Sequence, residues 1–572
     1  MTEPDPSQER VIDAPATDRL LVEAPPGAGK TWTASRRLVR LANEDRGDDD
    51  SDGRLLALSF SRVAALAITT ELYRSGIGTR VEVRTIDSWC SATLVAAGAG
   101  TDELFGHNFD RRIEMLLELL SNQDELPAYR HVVVDEAQDV MGTRARLIAA
   151  VLTSDSTSGW TVLGDPAQTI YDFSDTGPTL FDIAAASGAR REPLAGAHRA
   201  RTAEIASIVD LGLGLRVAVP TVASLSRVRT AHMSLRKLDQ NDLTRVAPGY
   251  ARGTDSTAVL VRDNRIALTI AEQLADAGVP FGFVAARAEG LLPSWLAALS
   301  APDRPWLEEA DILTAVPDGM DVAPIVRAVR VLGGVVGERA GLDSLADGLL
   351  AGRTPEPLLQ PPIVPLSIST VHRAKGLEFD RVLVGLPEHA HVDELAECRV
   401  LYVAMTRAKN SLIRLAVTAP QTWRRDPRSG RMVDVRFAGR NKQIPISLEL
   451  RPRDIDPLMP WTTVSERVPQ MSLVGMGERI TLRLLTNHQS ELPTYEATVG
   501  PERLVIGRTR PELGSALVDL GWKPPERLCG GRVMGLQSVV VPRGAIGARV
   551  RLIESPVVRG MLTRDGENED DR

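Results

Sequence analysis

The stretch Leu21-Val22-Glu23-Ala24-Pro25-Pro26-Gly27-Ala28-Gly29-Lys30-Thr31 decides the fold. Leu20, Leu21 and Val22 read as the end of a buried strand. Ala24 to Thr31 reads as a phosphate-binding loop, and from Thr33 the apolar spacing turns helical. In the order strand, glycine turn, helix, main-chain N–H groups at the helix start face a bound phosphate, and the helix dipole favours its charge. Pro25, Pro26, Gly27, Ala28 and Gly29 make the turn. Lys30 is expected to reach the β- and γ-phosphates of a nucleotide, and the Thr31 hydroxyl to hold Mg²⁺. Ala24 stands where the motif usually has glycine. Alone, such a loop is a weak signal; the strand ends downstream strengthen it.

On the N-terminal side, Gln8 precedes the loop. Its amide donates and accepts at once, which suits an adenine edge; the plainer reading is a solvated glutamine. On the C-terminal side, Leu55 to Phe60 reads as a second parallel strand, and Val81 to Arg84 as a third that runs into Thr85-Ile86-Asp87-Ser88-Trp89. Asn43 to Gly53, rich in Asp and Gly, reads as a solvated loop. His131-Val132-Val133-Val134-Asp135-Glu136-Ala137-Gln138-Asp139 is a buried strand ending in carboxylates. Asp135 is expected in the Mg²⁺ shell, and Glu136 is expected to orient and deprotonate the attacking water. Trp160 to Gln168 is a further strand and turn, with Gln168 placed to sense the γ-phosphate. Tyr171 and Phe173 follow at once. Only 4% of the chain is aromatic, so a pair of rings on a polar loop points to stacking on unpaired bases, worth about 1–3 kcal/mol per base. Packing in a core is the alternative.

The composition of the 572 residues is that of an ordinary globular protein, 43% apolar and 25% charged, and long enough for about four domains. A net charge of −8 excludes a basic nucleic-acid coat but not a local groove. The N-terminus is polar, without a secretory leader pattern, and no apolar run would span a bilayer, so a cytoplasmic protein is expected. Cys90, Cys398 and Cys529 are too far apart for a metal or disulfide framework. Lysine occurs at six positions only. Its choice at position 30 is therefore informative, because a compact ammonium suits a phosphate point contact.

Taken together, Ala24–Thr31, Asp135-Glu136-Ala137-Gln138-Asp139 and Gly164-Asp165-Pro166-Ala167-Gln168-Thr169-Ile170-Tyr171 resemble the motifs of the UvrD-like superfamily 1 DNA helicases. Ala197-His198-Arg199-Ala200 is similar to that family's Asn-Tyr-Arg-Ser. Ser369 to Phe379 resembles its fifth motif, and Val400 to Lys409 its sixth. The six motifs, in the family's order, cover about residues 6–415. The resemblance implies an α/β fold of two RecA-like P-loop domains with an ATP cleft between them. It also implies Arg199 and Arg407 as arginine fingers at the γ-phosphate, arriving from the second of these domains. Glu378 would contact the ribose. Phe60, Ser88, Tyr171, Phe173, Thr370 and His372 would lie along single-stranded DNA. The motor implied moves 3′ to 5′, unwinds duplex and serves DNA repair or recombination.

The departures from the family pattern concern the base and the DNA rather than the phosphates. Trp32 stands where an adenine-stacking arginine is common, and His198 where a tyrosine is common. The expectation is that these two sandwich the base. Asp87 replaces a histidine, Ser174 an arginine, and Arg62-Val63 an Asn-Lys pair.

The chain is expected to divide into a first RecA-like domain at 1–190 with a small insertion near 90–130, and a second at 191–287 and 362–420. A reduced helical insertion and Pro-rich connector at 288–361, a β-rich domain at 425–560 and an acidic tail at 561–572 complete it. Trp423 to Lys442 is the most basic run; phosphate contact and an exposed connector are both open for it. The β-rich domain is a candidate site for a protein partner. Two other function classes stay open: a single-strand translocase or protein-displacing motor that does not unwind duplex, possibly in phage defence, and an ATP-gated DNA-binding scaffold.

Overall fold

A computed structural model describes residues 3–44, 54–60, 62–77, 80–100, 109–121, 128–154, 157–170, 177–196, 198, 200–217, 220–283, 292–300, 304–318, 320–336, 339–350, 355–359, 364–386, 394–418, 422–438, 442–458, 474, 477–486, 492–500, 503–541 and 552–564. The chain divides into two compact units. The first comprises Met1–Arg236, Ala374–Val384 and Glu388–Arg414; the second comprises Lys237–Arg373, Gly385–Pro387 and Leu415–Arg572.

In the first unit, six strands form a sheet: β1 (Arg19–Glu23), β2 (Arg54–Ser59), β3 (Val81–Thr85), β4 (Tyr129–Asp135), β5 (Trp160–Gly164) and β6 (Arg190–Pro193), in the spatial order β3-β2-β4-β5-β1-β6. All pairs are parallel. Leu20 to Val22 and Val132 to Val134 are wholly buried, because helices cover both faces of such a sheet and its strands need apolar side chains on each. Register brings the carboxyl ends together: Glu23 lies opposite Gly164, and Ser59 opposite both Asp135 and Thr85. That edge is where ligands bind in open α/β sheets. Helix α1 (Pro6–Ile12) precedes the sheet, α2 (Lys30–Glu44) follows β1, α3 (Arg62–Arg74) follows β2 and α4 (Ile86–Ala96) follows β3. In α2, Ala34, Leu38, Leu41 and Ala42 are buried at helical spacing.

Within the first unit residues 379–384 pair in parallel with residues 408–414, Val382 opposite Leu412. Within the second unit Thr257–Val261 pairs with Leu366–Thr370, Ile368 opposite Val259.

The rest of the second unit is a large antiparallel sheet. Its long strands Arg527–Val540 and Leu552–Arg564 lie side by side, and Lys442–Leu450 pairs with the latter. The basic run supplies two of its strands, Trp423–Arg425 and Met432–Ala438. Within that run Arg431 is buried against Asp454, with two contacts of 2.6 Å, so it is unavailable to a phosphate. The helical insertion shares a core with this sheet: Trp295, Leu296 and Leu299 cluster with Val540 and Leu552. Leu292 pairs with Ser538, and the Ser538 hydroxyl donates to Pro293 O at 2.7 Å. The second unit thus merges what the sequence suggested as separate insertion and β-rich domains. Strand alternation alone does not reveal that sharing. No helix among the described residues is long and apolar enough to cross a membrane.

Candidate nucleotide site

The loop after β1 carries two glycines in the left-handed region, Gly27 at φ 80° and Gly29 at φ 79°. A Cβ is disfavoured there. Ala24 has no such requirement. It is wholly buried, and its N–H donates to Gly164 O at 3.1 Å, which explains why alanine serves at the first motif position. Lys30 and Thr31 open α2.

These residues line a cavity of about 300 Å³ within the first unit, together with Pro26, Trp32, Phe60, Glu136, Asp139, Gln168, Lys375, Glu378 and Arg407. The sheet explains the convergence. Asp135 ends β4, Glu136 follows it, Gln168 follows β5, and all project from one edge. The Thr31 hydroxyl donates to Asp135 Oδ2 at 2.7 Å. A hydroxyl and a carboxylate are the hard oxygen donors Mg²⁺ takes alongside phosphate oxygens, so the residues present fit that ion. Among the described residues no group of three or more His, Cys, Asp or Glu is arranged to hold a metal.

Glu136 adopts a left-handed backbone, φ 56° and ψ 39°, which costs a non-glycine residue on the order of 1 kcal/mol. Its N–H donates to Asp135 Oδ1 at 2.9 Å, and its carboxylate accepts from Gln138 Nε2. Burial would raise its pKa, but Lys30, Lys375, Gln138 and Arg407 together hold it below the usual carboxylate range. Asp135 goes the other way: burial and the neighbouring Glu136 charge push it up, against Thr31 and Lys30. Glu136 is therefore the member of the pair that ionises first, and it carries its charge at neutral pH, as a group that is to accept a proton must.

Gln168 is fixed by its neighbours. Its Nε2 donates to Asp165 Oδ2 at 2.9 Å, and its Oε1 accepts from Arg407 Nη2 at 3.0 Å. Arg407 is buried, and its Nε donates to Val403 O at 3.1 Å. Behind Asp165 stands Arg216, whose Nε donates to Asp165 Oδ1 at 2.9 Å. The result is a buried chain Arg216–Asp165–Gln168–Arg407. Lys375 closes the other side: its Nζ donates to Asp139 Oδ1 at 2.5 Å and to Gln168 O at 2.6 Å. Burial raises Asp139 to about 6, against the pull of Lys375.

Sequence reasoning gave neither Arg216 nor Lys375 a role. The scarcity of lysine was a usable signal for Lys375. Arg216 has no motif around it, and only its contact reveals it.

Several expected residues sit elsewhere or serve otherwise. The Gln8 amide is engaged at both ends: Nε2 donates to Ala28 O at 3.0 Å and Oε1 accepts from Asp5 N at 3.0 Å. It braces the phosphate loop from behind. His198 does not line the cavity; its Nε2 lies 2.9 Å from Asp5 Oδ2 and its side chain is 52% exposed. Trp32 does line it, with the Arg36 guanidinium 5.3 Å from its ring. The pair Trp32 and His198 is thus not brought together as a sandwich. Phe60 lines the nucleotide cavity, because β2 ends beside β4. Glu378 is exposed at the cavity rim.

Ser88 is exposed in the first turn of α4, its N–H held by Thr85 Oγ1 at 3.3 Å. Asp87, the histidine replacement, pairs with Arg144 at 2.9 Å, so the change has a packing role. Thr370 ends a strand of the second unit, and His372 follows it half-buried. Tyr171, Phe173, Ser174 and Arg199 lie outside the described residues.

Two family models match the chain: an AAA domain over residues 8–174 and a UvrD-like helicase C-terminal domain over residues 365–413. No curated protein matches it. Among solved structures, the chain is similar to the Pif1 helicase from Candida albicans, at 13% identity and a TM-score of 0.37, over 74% of this chain and 98% of that one. It is also similar to the Pif1 helicase from Bacteroides in complex with ADP-AlF3 and ssDNA, at 13% identity and a TM-score of 0.35, over 73% and 94% of the two chains.

Proposed function

From a chain that belongs to the superfamily 1 helicases, with an AAA domain and a UvrD-like helicase C-terminal domain, we propose a motor that hydrolyses Mg-ATP in the cavity of its first unit and uses the cycle to move 3′ to 5′ along single-stranded DNA, separating tailed duplexes, in DNA repair or recombination. The observation that carries this reading is the convergence of Lys30, Thr31, Glu136, Gln168 and Arg407 on one cavity. Each has a task in phosphoryl transfer. Lys30 and the loop N–H groups bind the β- and γ-phosphates. Thr31 and Asp135 would hold Mg²⁺, which supplies charge neutralisation across those phosphates. Glu136, kept ionised by the surrounding cations, takes the proton from the attacking water. Arg407 and Arg199 offset the charge that develops on the γ-phosphoryl group. Gln168, bonded to Arg407, registers whether that phosphate is present. Thr370 and His372 are the proposed strand contacts on the second unit, and Ser88, Tyr171 and Phe173 on the first.

The test is ATP hydrolysis with and without single-stranded DNA, alongside strand separation on 3′- and 5′-tailed duplexes. Stimulated hydrolysis with separation of the 3′-tailed duplex alone is expected. Separation of the 5′-tailed duplex alone reverses the polarity, and stimulated hydrolysis without separation leaves a translocase. Absence of DNA-stimulated hydrolysis defeats the motor altogether.

A further inference from the structure

We infer that Ser7, a buried residue outside the lining of the nucleotide cavity, is a positioning residue for nucleotide binding. It fixes α1 so that Gln8 keeps the phosphate loop in its anion-accepting shape. This rests on the reading above that the cavity takes Mg-ATP.

A phosphate loop binds its ligand with main-chain N–H groups, so its carbonyls have to point away and be satisfied elsewhere. Ala28 is wholly buried and lies between Gly27 and Gly29, both left-handed. Its carbonyl accepts from Gln8 Nε2 at 3.0 Å. Glycine at position 29 leaves room for that amide, because a Cβ there would meet Gln8 Nε2 at 2.8 Å. Without the amide, a buried carbonyl loses this donor, and the flanking glycines let the peptide turn it towards the phosphates.

Helix α1 has seven residues, too few to hold a place of its own. What aims Gln8 is therefore what anchors α1. At the N-terminal end, Asp5 Oδ1 accepts from Ser7 N at 2.7 Å and from Gln8 N at 3.1 Å. Asp5 N donates to Gln8 Oε1 at 3.0 Å, which turns Nε2 to the loop. Ser7 Oγ donates to Asp5 Oδ1 at 2.5 Å and accepts from Ala195 N at 2.9 Å. The second of these bonds ties α1 to the chain leaving β6, the strand beside β1.

At the C-terminal end the anchor is Arg37, wholly buried on α2. Its Nη1 donates to Val11 O and to Ala14 O, each at 2.7 Å, and its Nη2 to Pro15 O at 2.9 Å. A guanidinium fork can serve several carbonyls at once. Lys30 and Thr31 open the same helix. The strut is thus fixed to α2 at one end and, through Ser7, to the β6 edge at the other, with Gln8 between them.

The experiment measures binding of a fluorescent ADP to the full chain, its displacement by inorganic pyrophosphate, and steady-state ATP hydrolysis. The proteins are wild type, Ser7→Ala, Gln8→Ala and the Ser7→Ala/Gln8→Ala double variant, each checked by thermal unfolding. Gln8→Ala should raise Kd by about tenfold, within the range for a buried carbonyl left without a donor. Ser7→Ala should raise it by about fivefold, as loss of a capping hydroxyl does, and leave kcat within about twofold, because the groups at the γ-phosphate are untouched. Pyrophosphate, which has no base, should lose affinity by the same factors as ADP. The double variant should bind no more weakly than Gln8→Ala, because Ser7 acts through Gln8. An unchanged Kd in folded Ser7→Ala, a loss seen with ADP but not with pyrophosphate, or a double variant whose loss is the product of the two single losses overturns the strut and leaves the motor intact. Failure of wild type to bind nucleotide at all overturns the motor reading itself.

Discussion

Replacing Arg216 by alanine tests whether the buried chain behind the cavity matters for hydrolysis. Its Nε lies 2.9 Å from Asp165 Oδ1, with the Arg216 side chain 9% exposed and Asp165 wholly buried. Burial alone would weaken the guanidinium's hold on its proton, yet the Asp165 carboxylate outweighs this and raises its pKa, so the contact is a charged one. Losing a hydrogen bond between charged groups costs about 1.5–3 kcal/mol. Asp165 also orients Gln168, which in turn holds Arg407. Both act on the γ-phosphate in our reading, where only differential stabilisation of the transition state alters turnover. At 1.4 kcal/mol per factor of ten, full transmission lowers kcat by about 10–100-fold. The KM for ATP should change little, since Lys30 and the loop are untouched.

Steady-state hydrolysis with saturating single-stranded DNA measures both constants, and thermal unfolding shows whether the fold survives. Arg216→Lys, which keeps the charge, should recover part of the loss. A normal kcat in a folded Arg216→Ala protein, or a change confined to KM, would refute the reasoning and leave Arg216 a packing residue.

The remaining predictions concern catalysis and stability. Glu136→Gln should bind a fluorescent ATP analogue as wild type does but lose about 10²–10⁴-fold in hydrolysis, while Lys30→Ala should lose binding as well; equal binding losses in both would dissociate Glu136 from the base role. His131 is wholly buried, its Nδ1 2.6 Å from Ala16 O and its Nε2 facing Thr161 Oγ1 and Arg37. Burial first, and then the Arg37 charge, lowers its pKa to about 3. The unfolded chain takes up that proton near 6.5 and the folded chain does not, so stability falls as pH drops through this window, by about 2 kcal/mol between pH 7 and 5. Urea unfolding of wild type and His131→Gln across that range should differ in slope by about one proton, and parallel slopes would exclude the buried neutral imidazole. Arg431→Ala strands the Asp454 carboxylate and should cost the second unit about 3–5 kcal/mol, read by urea unfolding; a loss below about 1 kcal/mol would mean the pair is solvated.

The P-loop, both strand-ending motifs and the parallel strands were legible because each lies within a few residues of chain. Gly27 and Gly29 announce a left-handed turn, and three valines before Asp135 announce a buried strand with its charge at the end. Local spacing also singled out Thr31, Glu136 and Gln168, and resemblance Arg407, and the four line one cavity. At Gln8 and His198 the sequence did not foretell the partners found, Ala28 O and Asp5. Amide chemistry singled out Gln8 and resemblance His198, and a side chain that can both donate and accept does not state which neighbour it will satisfy.

By itself, then, the sequence determined a phosphate-loop turn and paired carboxylates at the strand ends of an α/β sheet. Only the tertiary structure decided what stands behind those groups. Arg216 meets Asp165 across 51 residues, Arg37 meets His131 across 94, and Lys375 meets Asp139 across 236. These are buried charges, and each must find its partner wherever the packed chain supplies one, because leaving it unpaired costs several kcal/mol. That requirement acts through space and leaves no periodicity along the chain. The loop at 24–31 is therefore readable from its residues, while the order of groups that would make it hydrolyse ATP is set by the fold.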